Sequence, residues 1–405
     1  MVFIFFDIMI KFFKLNKLIL QTIIISFFLV NSVFAVEKIY RSEYLSNYFL
    51  GVISLNDNNF KKSYNFLKNL ENLENDHSSY SKAFLESLIN ISKINEAYRY
   101  SVKLNNKKQN FYQSDLIIAN KLIKNEKYDK AFHYLNSTEK SKYSPLQKLI
   151  MQITFNWIEV ESAQLNYNQA VKIFNSIDSR YLNLKKINKL FLNCYFDTPN
   201  LDTNFQQLIK DKSTDFSRYT YFYANYLLKK NNLQKANLVL ENQLQKRPGN
   251  LLLNQLKKDI KLKKKNYLQN TFDCKNISHI TAEIYYITAN ALSSQTLYAL
   301  SNFYLNLAKY LNQDFHSYNS LLAENFYMTE NYKEAKKVYL VLKKIGEVYS
   351  WHSSKQIALI DIENGNNDLA LNTIQKSYQS LKKPDVYQTY DFANFLKNNE
   401  KFDRS

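Results

Sequence analysis

Apolar and polar residues alternate with a helical period along most of the chain, and residues 321–342 show the pattern most clearly. Two amphipathic runs meet there at a polar turn around Glu330. Ala323 lies where the two runs would cross, and Ala335 follows the start of the second run by three positions. Small residues at a crossing let two helices approach closely, while aromatic side chains fill the space beside them. The stretch therefore predicts a hairpin of two short helices.

The same hairpin recurs at a nearly constant spacing. The small residues that follow the predicted turns are Ser63, Ala97, Ala131, Ala170, Ala236, Ser301, Ala335, Ala370 and Ser405. The first three are 34 residues apart, and the last four are separated by 34, 35 and 35 residues. Most of them are preceded, twelve positions earlier, by a second small residue: Gly51, Ala119, Ala224, Ala289, Ala323, Ala358 and Ala393. A phase kept over several hundred residues predicts a stack of hairpins, which is an all-α solenoid.

This period and pattern resemble the tetratricopeptide repeat, whose signature is W-x2-L-G-x2-Y, then A-x3-F, then P. Leu50 and Gly51 match the L-G pair, and Pro248 falls twelve residues after Ala236, where the family places its proline. The A-x3-F pair is matched by Ala170 with Phe174 and by Ala335 with Tyr339. The signature Trp is missing, since neither Trp157 nor Trp351 falls at its position. The resemblance covers roughly residue 44 to the end and implies a right-handed superhelix.

The spacing of the small residues and the character of the first residues divide the chain into four parts. We expect a signal peptide over residues 1–35, an N-terminal array over 36–250, an irregular junction over 251–276 and a C-terminal array over 277–405. The Lys-rich run 257–265 lies in the junction, where the landmarks of one hairpin are missing. The last hairpin stops at Ser405, the small position of its second helix. We therefore expect an incomplete gene product, with a frayed natural tail as the alternative.

Composition favours helices and complicates the interpretation of charge. Gly and Pro number four each in 405 residues, about 1% each against typical values of about 7% and 5%, so turn-rich β folds are disfavoured. The net charge of +18 would suit nucleic acid or anionic lipid. Heavy use of Lys, Asn, Ile, Tyr and Phe, whose codons are rich in A and T, favours the base composition of the gene as its cause. We predict no nucleic-acid partner.

The first residues predict export. Lys11, Lys14 and Lys17 precede an apolar run over residues 18–30, and small residues follow up to Ala35. A basic region, a short apolar run and a small-residue cleavage site are typical of a secretory signal. Cleavage after Ala35 would remove three Lys and one Asp, which changes the net charge from +18 to +16. We expect a periplasmic protein, with an uncleaved anchor in the inner membrane as the alternative.

The reactive side chains do not form a catalytic or metal-binding pattern. Cys194 and Cys274 lie eighty residues apart; pairing is open to them in an oxidising compartment, but we expect two buried free thiols. The five histidines have no metal-ligand spacing. A phosphate loop or a serine nucleophile elbow needs more glycines than the chain has. The prediction is a protein that is not an enzyme and has no cofactor, no catalytic residue and no metal site.

The family resemblance implies where a partner would bind. Positions 5 and 9 of each first helix line the concave groove of a tetratricopeptide superhelix, one turn apart on one face. Position 5 is Tyr48, Tyr221, Tyr286 and Tyr390, and position 9 is Asn225, Asn290 and Asn394. Tyr offers rigid contact area with a polar tip, and Asn can pair with a peptide backbone. The alternative is packing between repeats, since Tyr and Asn are frequent throughout the chain.

Two functions follow as hypotheses. The first is a non-enzymatic scaffold in the bacterial periplasm that binds a protein or peptide partner. The signal peptide and residues 272–286 also resemble a group of exported alphaproteobacterial tetratricopeptide proteins, for which no settled activity can be carried over. The second hypothesis is a membrane-anchored or membrane-surface assembly factor that uses a basic face on anionic lipid or lipopolysaccharide.

Overall fold

A computed structural model of the chain describes residues 42–70, 73–75, 77–262 and 272–398. The predicted signal peptide, residues 263–265 of the Lys-rich run and the small position Ser405 lie outside the described residues. The chain divides into two compact units, Met1–Ser46 and Asn47–Ser405. Of the first unit the structure describes only residues 42–46, the first turn of a helix.

The described residues form twenty α-helices and no strand. Those of the N-terminal part are α1 (Ser42–Asn56), α2 (Phe60–Leu67), α3 (Ser78–Asn90), α4 (Ile94–Asn106), α5 (Tyr112–Lys124), α6 (Tyr128–Ser137), α7 (Pro145–Ser162), α8 (Tyr167–Asn175), α9 (Leu182–Tyr195), α10 (Leu201–Lys210), α11 (Ser217–Lys229) and α12 (Leu233–Lys246). The rest are α13 (Leu251–Lys261), α14 (Ile277–Ser293), α15 (Tyr298–Leu311), α16 (Tyr318–Met328), α17 (Tyr332–Leu342), α18 (Glu347–Glu363), α19 (Asn367–Gln379) and α20 (Val386–Asn398). None of these described helices has the length and apolar content of a membrane span.

The helices pair into hairpins at the predicted small residues, which confirms the all-α solenoid. Ala97, Ala131, Ala236 and Ala335 in the second helices have no solvent exposure. Gly51, in the first helix of the first hairpin, is buried, and a Cβ added there would lie 2.5 Å from the Leu67 side chain. Interiors at crystal-like density leave no room for such an atom. The period in the sequence therefore records the points of closest approach between helices.

Each turn within a hairpin ends its first helix in the same way. One residue adopts a positive φ, and the next backbone N–H donates to a carbonyl five residues earlier, as Asn331 does to Phe326 over 2.9 Å. This Schellman-type ending usually uses glycine at the positive φ. The nine turns within hairpins in the described chain use Asn58, Ser92, Glu126, Gln164, Asp197, Asn231, Thr296, Glu330 and Gly365, and Lys108 ends the second helix α4 in the same way. Tight turns therefore form here almost without glycine, and the tertiary packing must offset the backbone strain.

The predicted junction contains a regular helix, α13, which packs against the first helices α11 and α18. Lys258 of α13 forms an ion pair with Glu347 at the start of α18. The Gln255 side chain accepts a hydrogen bond from the Val348 backbone over 3.0 Å. A Cβ added at Gly346 would lie 2.2 Å from the Gln255 amide nitrogen, so this contact requires a glycine. Helix α13 thus links two regions of the fold that are nearly ninety residues apart.

The two cysteines form a disulfide, so the expectation of free thiols was wrong. Cys194 at the end of α9 is bonded to Cys274, three residues before α14, with Cα atoms 5.9 Å apart. The two cysteines are eighty positions apart in the sequence, and tertiary folding brings their thiols together. Sequence spacing does not reveal such proximity, which is why pairing could not be inferred from the sequence. The bond fixes the entrance to α14 beside the N-terminal hairpins.

The hairpin α14–α15, the central hairpin, lies against the inner surface of the N-terminal hairpins. Helix α15 contacts α3 and α5, and α14 contacts α5 and α7. These three partners are all first helices, whose inner faces form what we call the N-terminal groove. The core of the described chain therefore includes this groove, since the chain's own hairpin fills it.

Candidate binding cleft

Buried polar contacts hold the central hairpin in the N-terminal groove. The Tyr285 hydroxyl donates to the Asn120 side-chain oxygen over 2.8 Å, and the hydroxyls of Tyr112 and Tyr304 are 2.8 Å apart. All four side chains are at most 3% exposed. The Lys124 ammonium reaches the last carbonyl of α15, at Leu311, over 2.9 Å. Pairing of this kind is what buried polar groups require, so the groove is not available to another chain in this structure.

An open cleft of about 580 Å³ lies on the other side of α14. Its wall includes the start of α11, the start of α13, the N-terminal ends of α16 and α18, and the outward face of α14. We call it the Tyr286 cleft, and its lining residues are Asn183, Ile187, residues 214–219, residues 250–252, Tyr286, Ile287, Asn290, Ala291, Ser317, Ser320 and Tyr349.

Arg218 forms the base of this cleft. Its guanidinium donates to both carboxylate oxygens of Glu283, over 2.6 and 2.9 Å, and to the Ser317 hydroxyl over 3.1 Å. The guanidinium carbon also lies 3.8 Å from the centre of the Tyr286 ring and 4.9 Å from that of Phe315. A planar cation suits both a two-point carboxylate contact and ring stacking. Arg218 thereby fixes the orientation of the Tyr286 ring.

The charges at the base of the cleft compensate each other. Burial raises the pKa of the Glu283 carboxyl, although Arg218 opposes this effect. Burial also acts to lower the pKa of the Arg218 guanidinium, but Glu283 outweighs it and the pKa lies above its ordinary value. A buried pair of this geometry stays ionised because each partner replaces the water that the other has lost. The cleft base therefore offers an aromatic, nearly neutral surface to a ligand.

Amides and partly exposed apolar side chains line the rest of the Tyr286 cleft. Asn290 is exposed one turn after Tyr286, as the predicted position 5 and position 9 pair requires. Ile287, Leu251 and Leu252 are half-buried, so part of their apolar surface faces the cleft. An amide that can donate and accept, beside apolar area, can hold a peptide main chain and one apolar side chain. The Tyr286–Asn290 pair thus lies at a site with suitable chemistry.

The other predicted groove residues lie in different environments. Tyr221 is buried and stacks on Phe315, with ring centres 5.5 Å apart. Asn225 lines a separate cleft of about 350 Å³ beside the Cys194–Cys274 disulfide. Tyr48 is half-buried and lies 4.8 Å from the His77 ring. These residues do not meet around one ligand position in the structure.

The remaining predicted pair lies on the last described helix. Tyr390 of α20 is 66% exposed, and Asn394, one turn later, is half-buried. The described part of the chain contains no hairpin after α20 that could form a second wall beside these two residues. Their assignment to a binding surface stays a prediction.

The sequence did carry a signal for the filled groove that positions 5 and 9 missed. Helix α14 contains one carboxylate and no Lys or Arg, and α15 contains a single Lys. The chain as a whole has 54 Lys and Arg and 36 Asp and Glu in 405 residues. Eight consecutive residues of α15, from Ser301 to Ala308, are buried. A helix that is apolar on every side is surrounded by protein, so charge depletion marked the central hairpin.

Side chains that could ligate a metal do not cluster in the described part of the chain. The described residues contain no group of three or more His, Cys, Asp or Glu side chains placed to hold a metal ion. His279 accepts a hydrogen bond from the Asp273 backbone over 3.0 Å. Burial, reinforced by the charge of Lys355, lowers the pKa of His352 to about 4. Both histidines therefore have packing roles in this structure.

The hairpins, their small crossing residues and their common turn define the described chain as an all-helical solenoid of tetratricopeptide-like repeats. No family model matches the chain, and no curated protein matches it.

Solved structures to which the chain is similar include tetratricopeptide-repeat proteins. Yeast Tom70 is 12% identical over 89% of this chain and 96% of that chain, with a TM-score of 0.27. The P58(IPK) TPR domain is 12% identical over 89% and 100%, with a TM-score of 0.26. A structure of Naa15/Naa10 bound to HypK-THB is 15% identical over 89% and 56%, with a TM-score of 0.32. Similarity at this level carries over neither a partner nor an activity.

Proposed function

We propose that the protein is a non-enzymatic binding scaffold that holds an extended peptide segment of a protein partner in the Tyr286 cleft. The observation that carries the proposal is the position of Tyr286 and Asn290 on the wall of an open cleft. The N-terminal groove, which the repeat pattern also offers, is filled by the central hairpin. A volume of about 580 Å³ lies within the range of sites that enclose a ligand of a few residues.

The base of the cleft is already held in one conformation, which favours ligand binding. Tyr286 is held against Arg218, and Arg218 is held by Glu283 and Ser317. A ligand that stacks on Tyr286 therefore meets a surface whose conformation is already set, and the entropy cost of binding is reduced. Asn290 supplies the polar contact that sets the register of a peptide backbone.

We further propose that the scaffold works in the periplasm of a Gram-negative bacterium. The basic and apolar start of the sequence supports export, and the Cys194–Cys274 disulfide supports an oxidising compartment. Sequencing the N-terminus of the protein purified from its host tests this location. A start at Val36 supports a cleaved, periplasmic protein, whereas retention of residues 1–35 in a membrane fraction supports the anchored alternative.

A blocking substitution tests the cleft itself. Ala291 is exposed and lines the cleft, so Ala291→Trp would fill the space without entering the core. Peptides selected from a random display library on the wild-type protein should bind the Ala291→Trp variant at least tenfold more weakly. Asn290→Ala should weaken binding by about threefold to tenfold, the value of one hydrogen bond.

The matched control is Leu238→Trp, because Leu238 lies on the second helix α12 and is 57% exposed. This variant adds the same side chain away from the cleft and should bind the selected peptides as the wild type does. Selected peptides that bind all three variants equally would rule out the Tyr286 cleft as the site.

A further inference from the structure

Another cleft lies away from the Tyr286 cleft, along the connections that follow the second helices of three hairpins. It has a volume of about 890 Å³. Its wall comes from the segment before α3 and the first turns of that helix, the connection from α4 to α5, and the connection from α6 to α7. No predicted site residue lines it. Its chemistry is therefore independent of the peptide site proposed above.

Three lysines, one from a helix and two from connections, line this cleft. Lys82 lies on α3, Lys108 lies between α4 and α5, and Lys142 lies between α6 and α7. All three are exposed, and none forms an ion pair with a described residue. Lys82 lies 5.8 Å from the centre of the Phe111 ring, which also lines the cleft. We call this site the lysine cleft.

The acidic residues of the lysine cleft do not cancel these charges. Glu74 is 3% exposed, and its carboxylate is bonded by Lys103 over 2.6 Å and Lys107 over 3.1 Å. Neither of these lysines lines the cleft, so Glu74 is neutralised from outside it. Glu139 is exposed and accepts a hydrogen bond from Ser141 over 2.6 Å. The described lining residues therefore keep an excess of positive charge.

A rigid network supports one wall. The buried Asp115 carboxylate accepts hydrogen bonds from Tyr143, from Tyr134 over 2.6 Å and from Asn110 over 2.9 Å. Tyr143 and Asn110 both line the cleft. Donors from the connection between α4 and α5, from α6 and from the connection between α6 and α7 thus converge on one acceptor of α5. The connections that carry Lys108 and Lys142 are fixed relative to each other by this network.

The lining also contains amides that suit a peptide backbone. Asn105, Gln109 and Gln113 face the cleft, and the Gln109 side-chain oxygen is buried without a hydrogen-bond partner in the described protein. A buried acceptor of this kind is satisfied when a donor is bound beside it. A peptide N–H is such a donor, whereas a phosphate or a sugar carboxylate alone supplies only acceptors.

We propose that the lysine cleft binds an acidic peptide segment, with carboxylates at Lys82, Lys108 and Lys142 and the main chain along the amides. The combination of separated cations, amides and a concave surface favours this ligand over a lipid surface, which contacts a convex and continuous basic face. Because the ligand carboxylates would pair with three exposed lysines, binding should weaken as salt is added.

Fluorescence anisotropy with the full chain and a labelled octaglutamate peptide tests the proposal. The wild-type protein should bind this peptide at 25 mM salt and lose most of the affinity at 300 mM. The triple variant Lys82→Glu, Lys108→Glu, Lys142→Glu should bind at least tenfold more weakly. The control variant Lys333→Glu, Lys344→Glu, Lys382→Glu changes three exposed lysines outside the clefts described here and alters the net charge by the same amount.

The control variant distinguishes binding at the lysine cleft from nonspecific attraction of an acidic peptide to a basic protein. An affinity within twofold of the wild type in the control supports the lysine cleft. Equal losses in both triple variants, or no binding of octaglutamate by the wild type, would overturn it. Stronger loss of binding to vesicles containing phosphatidylglycerol than to the peptide would assign the site to lipid and also overturn it. Ala291→Trp should not change octaglutamate binding, so this result is independent of the proposed peptide site.

Discussion

The N-terminal groove and the Tyr286 cleft are built from equivalent parts of the repeat, yet the chain fills one and leaves the other open. Asn120 of α5 and Asn290 of α14 both directly follow the small residue of a first helix. Asn120 is fully buried and accepts a hydrogen bond from Tyr285, whereas Asn290 is exposed in a cleft. The same repeat position therefore lies in the core in one hairpin and on the wall of an open cleft in the other.

The central hairpin causes this difference, since α14 takes part in both regions. One face of α14 carries Tyr285 into the N-terminal groove, and the neighbouring Tyr286 lies on the wall of the Tyr286 cleft. Adjacent residues on a helix point about 100° apart, so a single helix can fill one concave surface and form the wall of another. A consensus position identifies a candidate contact, but the segment that packs opposite decides its role.

The largest effect should come from removing a side chain that fills the groove. Tyr285→Ala deletes a fully buried ring and leaves the Asn120 oxygen without its donor. We expect a loss of about 3–5 kcal/mol in the free energy of unfolding, measured by urea denaturation. Tyr285→Phe keeps the ring and should cost about 1 kcal/mol.

The matched change in the open cleft is Asn290→Ala, which should alter the free energy of unfolding by less than about 0.5 kcal/mol. Similar losses for Tyr285→Ala and Asn290→Ala would contradict the distinction between a filled groove and an open cleft.

A second effect should come from breaking the ion pair at the base of the cleft. Arg218→Met leaves the fully buried Glu283 carboxylate without a cation, and we expect a loss of about 3 kcal/mol. The double variant Arg218→Met, Glu283→Gln removes both charges and should recover most of this loss. Thermal or urea unfolding of the two variants measures the difference. A double variant no more stable than Arg218→Met alone would show that the charges are not the cause.

The next-largest effect on the free energy of unfolding should come from the disulfide, because it joins the N-terminal hairpins to the central hairpin. Replacing Cys194 and Cys274 with Ser opens an eighty-residue loop and should cost about 2–4 kcal/mol, chiefly by freeing the unfolded chain. Hydrogen exchange should show faster opening of α14 and α15 than of α18 and α19, since Cys274 lies directly before α14. Uniform acceleration in all helices would mean that the bond stabilises the chain without fixing the central hairpin.

The sequence predicted the helical repeat but not how distant hairpins pack against each other. The spacing of small residues such as Ala97 and Ala335 reports a contact within each hairpin, which depends on residues twelve positions apart. The pairing of Tyr112 with Tyr304 joins residues 192 positions apart, and no local period encodes it. Charge depletion in α14 and α15 indicated burial, but not which surface would cover them. The disulfide was missed for the same reason, since the two cysteines come together only in the tertiary structure.

Acidification should destabilise helix α18, which carries His352 and part of the Tyr286 cleft wall. His352 lies on α18 one turn after Tyr349 of the cleft wall, and burial lowers its pKa from 6.5 to about 4. Between these pH values the unfolded chain binds a proton that the folded chain does not, so stability is complete above pH 6.5 and falls as the pH decreases toward 4. The loss should reach about 3 kcal/mol at most. Burial also lowers the pKa of His279 in the first turn of α14, so α14 contributes to the acid sensitivity as well. His352→Asn should remove this part of the pH dependence in urea unfolding at pH 7 and pH 4.5, and hydrogen exchange at pH 4.5 should show slower opening of α18 in His352→Asn than in the wild type. Unfolding curves with the same pH dependence for the wild type and His352→Asn would refute this assignment.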